Sequence, residues 1–190
     1  MPLETEIKLR LPQGPDRARA LLEKHGFHAA GPRQLETDQT FDLPGGDLRR
    51  TDRLLRLRTS GGHWTVTYKA PPVASAHKSR EEIETDVSDG EAFEYILAAL
   101  GYQPSFAYQK FRTAFEAPGQ EGIVMLDETP IGDFLELEGS ESWIDQTARM
   151  LGFGPADYVT SSYAGLYEEF RRTQGANSAA VPRDMKFHLP

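Results

Sequence analysis

The sequence predicts an α+β domain: an eight-stranded antiparallel β-barrel, or tunnel, with a charged interior and helices packed outside. Three observations predict it. Apolar and charged residues alternate with period two in one run after another, as they do in strands whose faces see different surroundings. The charges within those runs sort by sign from strand to strand. Helical patterns fill the gaps and supply apolar faces to cover those of the strands.

The first run, Leu3 to Leu11, sets Leu3, Ile7, Leu9 and Leu11 against Glu4, Glu6, Lys8 and Arg10. Pro15-Asp16 then opens a helix carrying Ala18, Leu21, Leu22 and His25, stopped at Gly26. A second strand, Leu35 to Phe41, runs into the turn Pro44-Gly45-Gly46. Leu54 to Arg58 opposes Leu55 and Leu57 to Arg56 and Arg58, and Ser60-Gly61-Gly62 reads as a hairpin into His63–Lys69, rich in β-formers. The loop Pro71 to Lys78 reads as a connection at the barrel mouth, with Lys78 and Arg80 as solvated cations. The fifth strand, from Arg80, carries Glu82 and Glu84 around Ile83. Asp89 caps a helix with Phe93, Ile96, Leu97 and Leu100 on one face, stopped at Gly101. Strands from Tyr108 (Lys110 and Arg112 around Phe111), Gly122 to Asp127, and from Phe134 (Glu136 and Glu138 beside Leu135 and Leu137) complete the eight. Ser140 or Ser142 caps a third helix with Ile144, Ala148 and Leu151, and a fourth spans Ser161 to Arg172 with Tyr163, Leu166, Tyr167 and Phe170 buried.

One alternating pair is equally a solvated strand face; repetition decides. Acidic pairs stand at Glu4/Glu6, Glu82/Glu84 and Glu136/Glu138, and basic pairs at Arg56/Arg58 and Lys110/Arg112, with Lys8, Lys69 and Asp127 added. If helices cover the apolar outer faces, the charged faces point inward. Such an interior is tolerable only when its charges neutralise one another or a ligand completes the neutralisation. Paired carboxylates with oxygen-only ligands suit Mg²⁺ or Mn²⁺ rather than zinc. Clustered Arg and Lys suit a multiply charged phosphate chain. A triphosphate with bound metal satisfies both sets.

The bulk numbers fit this reading. With 190 residues and 38% hydrophobic content, the chain suffices for one sizeable domain, placed at residues 1–172. Residues 173–190, rich in Gly, Ala, Ser and Pro, read as a flexible C-terminal tail. A net charge of −8 argues against a nucleic-acid or membrane-surface partner, and collecting the cations inside reconciles it with a polyanionic ligand. No cysteine is present, which removes disulfides, thiolate metal sites and cysteine nucleophiles. His25, His28, His63, His77 and His188 share no ligand spacing. Met1-Pro2-Leu3-Glu4 lacks the regions of a secretion signal, and no apolar run reaches membrane-spanning length. The expectation is a cytoplasmic monomer or homodimer acting on a small molecule.

These residues resemble the CYTH family, or triphosphate tunnel metalloenzymes, which includes triphosphatases and class IV adenylyl cyclases. Glu4-Thr5-Glu6-Ile7-Lys8 matches the family's Glu-x-Glu-x-Lys signature. The pattern continues through Leu55 to Arg58, Thr67 to Lys69, Glu82 to Glu84, Lys110 to Arg112, Leu126 to Glu128, Phe134 to Glu138 and Ser162-Tyr163. The resemblance implies that Glu4, Glu6, Asp127, Glu136 and Glu138 hold Mg²⁺ or Mn²⁺. It implies that Lys8, Arg56, Arg58, Lys69, Lys110 and Arg112 hold the triphosphate, and that Glu4, Glu6, Lys8, Glu136 and Glu138 are catalytic. Glu82, Glu84 and Tyr163 are implied in support. One departure is visible: where the family reads Asp-x-Tyr-Phe-Asp, this chain has Asp38-Gln39-Thr40-Phe41-Asp42, placing Thr40 where a phenol is expected. The implied activity is hydrolysis of inorganic, nucleoside or thiamine triphosphate. The alternatives are cyclisation of ATP to cyclic AMP and pyrophosphate and, ranked last, non-catalytic triphosphate or polyphosphate binding.

Overall fold

The computed structural model describes residues 3–73, 75–175 and 181–187. Nine strands form one antiparallel sheet: β1 (Leu3–Arg10), β2 (His28–Ala29), β3 (Gln34–Asp42), β4 (Leu54–Ser60), β5 (His63–Lys69), β6 (Lys78–Val87), β7 (Gln103–Glu116), β8 (Ile123–Thr129) and β9 (Gly132–Glu138). The order β7-β3-β4-β5-β6-β1-β9-β8 closes on itself through the β7–β8 pairing, giving the predicted eight-stranded barrel. β2 is an extra strand on β7, two residues long and too short to leave a periodic signal. Closure removes exposed edges, and side chains alternate between interior and exterior along every strand.

Five helices lie outside: α1 (Pro15–Lys24), α2 (Asp47–Arg50), α3 (Gly90–Ala99), α4 (Glu141–Met150) and α5 (Tyr163–Thr173). Helix α2 was not foreseen; it is one turn, entered from left-handed Gly46 and tied by the Asp42 carboxylate, which accepts from the Leu48 and Arg49 amides. The predicted caps form at Asp89 and Ser140, and Ser162 caps α5 as well, each accepting from the amide three residues on. Helices α1 and α4 bury Leu22, Ile144 and Ala148 against the outward Ile7, Leu9, Val124, Leu126, Leu135 and Leu137. The Trp143 indole lies so close to Gly122 that a Cβ there would stand 2.3 Å from it. Helix α3 packs Phe93 and Leu97 on Phe41, Leu57, Trp64 and Val66. Its Ile96 and Leu100, expected on the same face, are exposed together with Tyr95.

Helix α5 covers one end of the barrel. Its Tyr163, Leu166 and Tyr167 join Tyr108 and Phe134 in an aromatic cluster that also takes in Met185. Residues 181–187 return to β7: Met185 is fully buried, Gln109 N–H donates to its carbonyl, and its own N–H donates to Ala107 O.

Candidate active site

The inward side chains of the barrel enclose a cavity of about 450 Å³. Eight basic residues line it (Lys8, Arg56, Arg58, Lys69, Lys78, Arg80, Lys110 and Arg112) with six carboxylates, Glu4, Glu6, Glu82, Glu84, Glu136 and Glu138. Each arrives by the period-two rule from its strand, and register sets neighbours: Glu6 stands opposite Glu138, Lys8 opposite Glu136, and Arg112 opposite Asp127.

Most of these charges are already paired. Lys8 Nζ lies 3.2 Å from Glu6 and 3.0 Å from Glu136. Arg112 reaches Asp127 at 2.6 Å and Glu136 at 2.8 Å, and Lys110 reaches Asp127 at 2.9 Å. The Tyr163 hydroxyl donates to Asp127 at 2.6 Å, and its ring lies under Lys8 and Lys110, with ammonium nitrogens 5.3 and 5.1 Å from the centroid. Around the other wall, Asp38 receives Arg58 at 2.8 Å and Arg56 at 3.4 Å. Glu36 receives Arg58 and Lys110. Lys69 bridges Glu4 and Glu82, 2.6 Å from each. Glu84 accepts from Thr67 at 2.8 Å and lies 3.6 Å from Arg56.

Exposure distinguishes the two ends. The side chain of Glu84 is 49% exposed, whereas Lys8 is at 3% and Lys110 at 2%. The interior opens beside Glu84, and its floor lies under Tyr163.

Charge regulation follows the same axis. Burial and the neighbouring Glu136 oppose ionisation of Glu6, but Lys8 and Lys78 more than reverse this and hold its carboxyl well below the usual range. Glu136 is held low in the same way by Lys8, Arg112 and Lys110. Nearer the opening the balance inverts. Burial and the side chain of Glu82 push Glu4 up to about 7 despite Lys69. Burial, Glu4 and Glu136 push Glu138 up to about 7, and among the described residues Glu138 has no salt-bridge partner. An anionic, oxygen-only rim short of cations fits a hard divalent ion. No three carboxylates or histidines among the described residues are yet gathered as a coordination shell, since Glu6 and Glu136 turn to Lys8, Lys78 and Arg112.

A model of the CYTH domain matches residues 2–163. The chain belongs to the CYTH family. A relative from Methanocaldococcus jannaschii, named "putative adenylate cyclase", is 32% identical over 149 residues, 78% of this chain and 83% of the relative. Among solved structures, a Pyrococcus horikoshii protein superposes with a TM-score of 0.74 at 23% identity, covering 88% of this chain and 99% of that one. A Hippeastrum protein, described as a "putative adenylyl cyclase" with a dominant triphosphatase activity, has a TM-score of 0.64 at 17% identity, covering 90% and 96%. At these identities the two structures speak for the fold.

Of the residues to which the CYTH resemblance gives a metal, phosphate, catalytic or supporting role, all but Asp127 line the cavity. Asp127 stands in the wall, fully buried, its oxygens taken by Lys110, Arg112 and Tyr163. Lys78 and Arg80 do not sit in a solvated loop. Strand β6 starts two residues earlier than predicted, carrying both inward on the face of Glu82 and Glu84. Lys78 donates to Glu6 at 2.9 Å, and burial with Lys8 and Arg80 nearby pushes its ammonium down to about 8. Arg80 is 7% exposed and has no hydrogen-bonding or ion-pair partner among the described residues. Glu36 and Asp38 were also missed as wall residues, although the alternation Glu36-x-Asp38-x-Thr40 was available. Thr40 spends its hydroxyl on Ser105 and the Phe106 carbonyl, so the inward phenol beside Asp38 and Arg56 is Tyr108 of β7 instead. His77 takes no part in the cavity; it pairs with Asp145 at 2.8 Å. His188 lies outside the described residues.

Proposed function

We propose that this protein is a metal-dependent phosphohydrolase that takes inorganic, nucleoside or thiamine triphosphate into its barrel. One observation carries the reading: eight basic side chains and six carboxylates converge on one 450 Å³ cavity, with Glu4 and Glu138, the two that are pushed toward protonation, near its opening. Lys8, Arg56, Arg58, Lys69, Lys110 and Arg112 bind the phosphate chain, joined by Lys78 and by Arg80, whose guanidinium has no ion-pair partner among the described residues and can receive an anion. Glu4, Glu6, Glu136 and Glu138 would hold Mg²⁺ or Mn²⁺. Bound there, the ion supplies charge neutralisation and Lewis acidity to the phosphate oxygens. Asp127 is assigned here to fixing Lys110 and Arg112 rather than to the metal, because its oxygens are filled.

The chain's own contribution is preorganisation. Cations held by ion pairs face developing charge without having to reorganise when it appears. Glu82 and Glu84 orient Lys69 and Arg56. Tyr163 covers the floor and keeps bulk water from Lys8 and Lys110. Glu138, pushed up to about 7 by burial and its neighbouring carboxylates while no ion is bound, would give up its proton as the metal binds.

A second reading has its own support in the Methanocaldococcus jannaschii relative's name: the same cavity could position a ribose 3′-hydroxyl of ATP for cyclisation. The test offers purified protein, with Mg²⁺ or Mn²⁺, inorganic triphosphate, ATP and thiamine triphosphate, and identifies the products. Orthophosphate release that a chelator abolishes is expected. Cyclic AMP as the main product from ATP would replace the first reading with the second, and no turnover of any substrate would sink both.

A further inference from the structure

We propose that Tyr108 is a further substrate-contacting residue, donating a hydrogen bond from its phenol to the phosphate chain, and that the C-terminal strap, residues 181–187, positions it. The proposal rests on the triphosphate reading above.

Two phenols line the cavity, and they differ. The Tyr163 hydroxyl is committed to Asp127. Tyr108 stands on the inward face of β7, two residues before Lys110, and is 6% exposed. Arg56, Arg58 and Asp38 surround it; the Arg56 guanidinium faces its oxygen as a hydrogen-bond donor, while the phenol's own O–H donates to no described residue and the side chain lines the cavity. A neutral O–H among guanidinium groups adds a directional donor without adding charge. Burial and the nearby Asp38 push its ionisation up, so the group stays a donor at neutral pH.

What holds it there is the strap. Strand β8 pairs with β7 only from Phe111 to Phe115, leaving the preceding stretch of that edge without a strand partner. Met185 fills it as a parallel bridge to Tyr108, with Gln109 N–H donating to Met185 O at 2.8 Å and Met185 N–H donating to Ala107 O at 3.0 Å. Asp184 adds a carboxylate accepting from Ala107 N–H at 3.1 Å. Tyr167 anchors the segment by donating to Pro182 O and Asp184 O. Tyr108 is thus gripped on both flanking peptides, and the fully buried Met185 packs in its aromatic cluster. The strap lies beyond residues 2–163, so it is a feature of this chain outside the matched family domain.

The test uses full-length protein and inorganic triphosphate with Mg²⁺, reading Kd by calorimetry, KM and kcat by phosphate release, and folding by circular dichroism. Tyr108→Phe should weaken binding about 5- to 20-fold, as expected for one hydrogen bond to a charged ligand, with the melting curve little changed. Asp184→Ala should weaken it by a smaller factor. The double variant should be no weaker than Tyr108→Phe alone, because the strap acts through the phenol. An unchanged Kd in Tyr108→Phe would overturn the contact. Effects that multiply in the double variant would overturn the positioning role. Failure of the wild-type chain to bind or cleave triphosphate would instead overturn the function on which the proposal rests.

Discussion

At the floor of the barrel Lys8 stands between Glu6 and Glu136, and Lys110 and Arg112 converge on Asp127; at the opening Glu138 has no cation partner among the described residues and Glu4 shares one with Glu82. Both regions use the same residue types on the same strands. Burial is deeper at the floor, yet the floor carboxylates Glu6 and Glu136 are held ionised while Glu4 and Glu138, nearer the opening, are pushed toward protonation. Partner count outweighs depth. The floor is a compensated lattice that stabilises the empty fold, whereas the opening carries an unbalanced negative charge that a metal ion would relieve.

That contrast can be broken by substitution, and the largest effect belongs to the floor. Asp127→Ala strands two buried cations and a phenol, and should cost about 3–5 kcal/mol in urea unfolding; a loss under about 1 kcal/mol would show that the lattice is not compensated as described. Arg80→Gln removes a buried cation that has no partner among the described residues to strand, so stability should hold while triphosphate affinity falls at least about tenfold by calorimetry. A comparable loss of stability would mean that Arg80 is paired after all. Glu138→Gln tests the opening in metal-free protein. The folded carboxyl, at about 7 against an ordinary 4.5, binds its proton more tightly than the unfolded chain does, so rising pH through that window lowers stability. The variant should therefore be more stable than wild type by on the order of 1–2 kcal/mol at pH 8 and indistinguishable at pH 4, with weaker metal binding. Arg49→Ala, at an exposed pair with Glu168 far from the cavity, sets the baseline at under about 0.5 kcal/mol.

The barrel was legible because closure imposes one rule on every strand, and runs such as Leu55-Arg56-Leu57-Arg58 state that rule plainly. Lys78 and Arg80 were lost because the prolines and serines before them suggested a loop, while their pairing with β1 at Glu6 and Glu4 is a long-range fact. Asp127 was found as a residue but its partners were not: sequence shows which side chains point inward, not which of them meet across the barrel. The return of residues 181–187 was invisible for a similar reason. Their composition is that of a tail, and what holds them is an edge of β7 that exists only because β8 is shorter.

The covered floor under Tyr163 also sets a direction of traffic. On the proposed function, a phosphate chain entering beside Glu84 would meet Tyr163 with its leading end, so a long polyphosphate would present its last few units there. Fragments formed there would leave past Glu84, and the piece lying deepest would be the last to depart, so the end of the substrate that enters first would set the order of release.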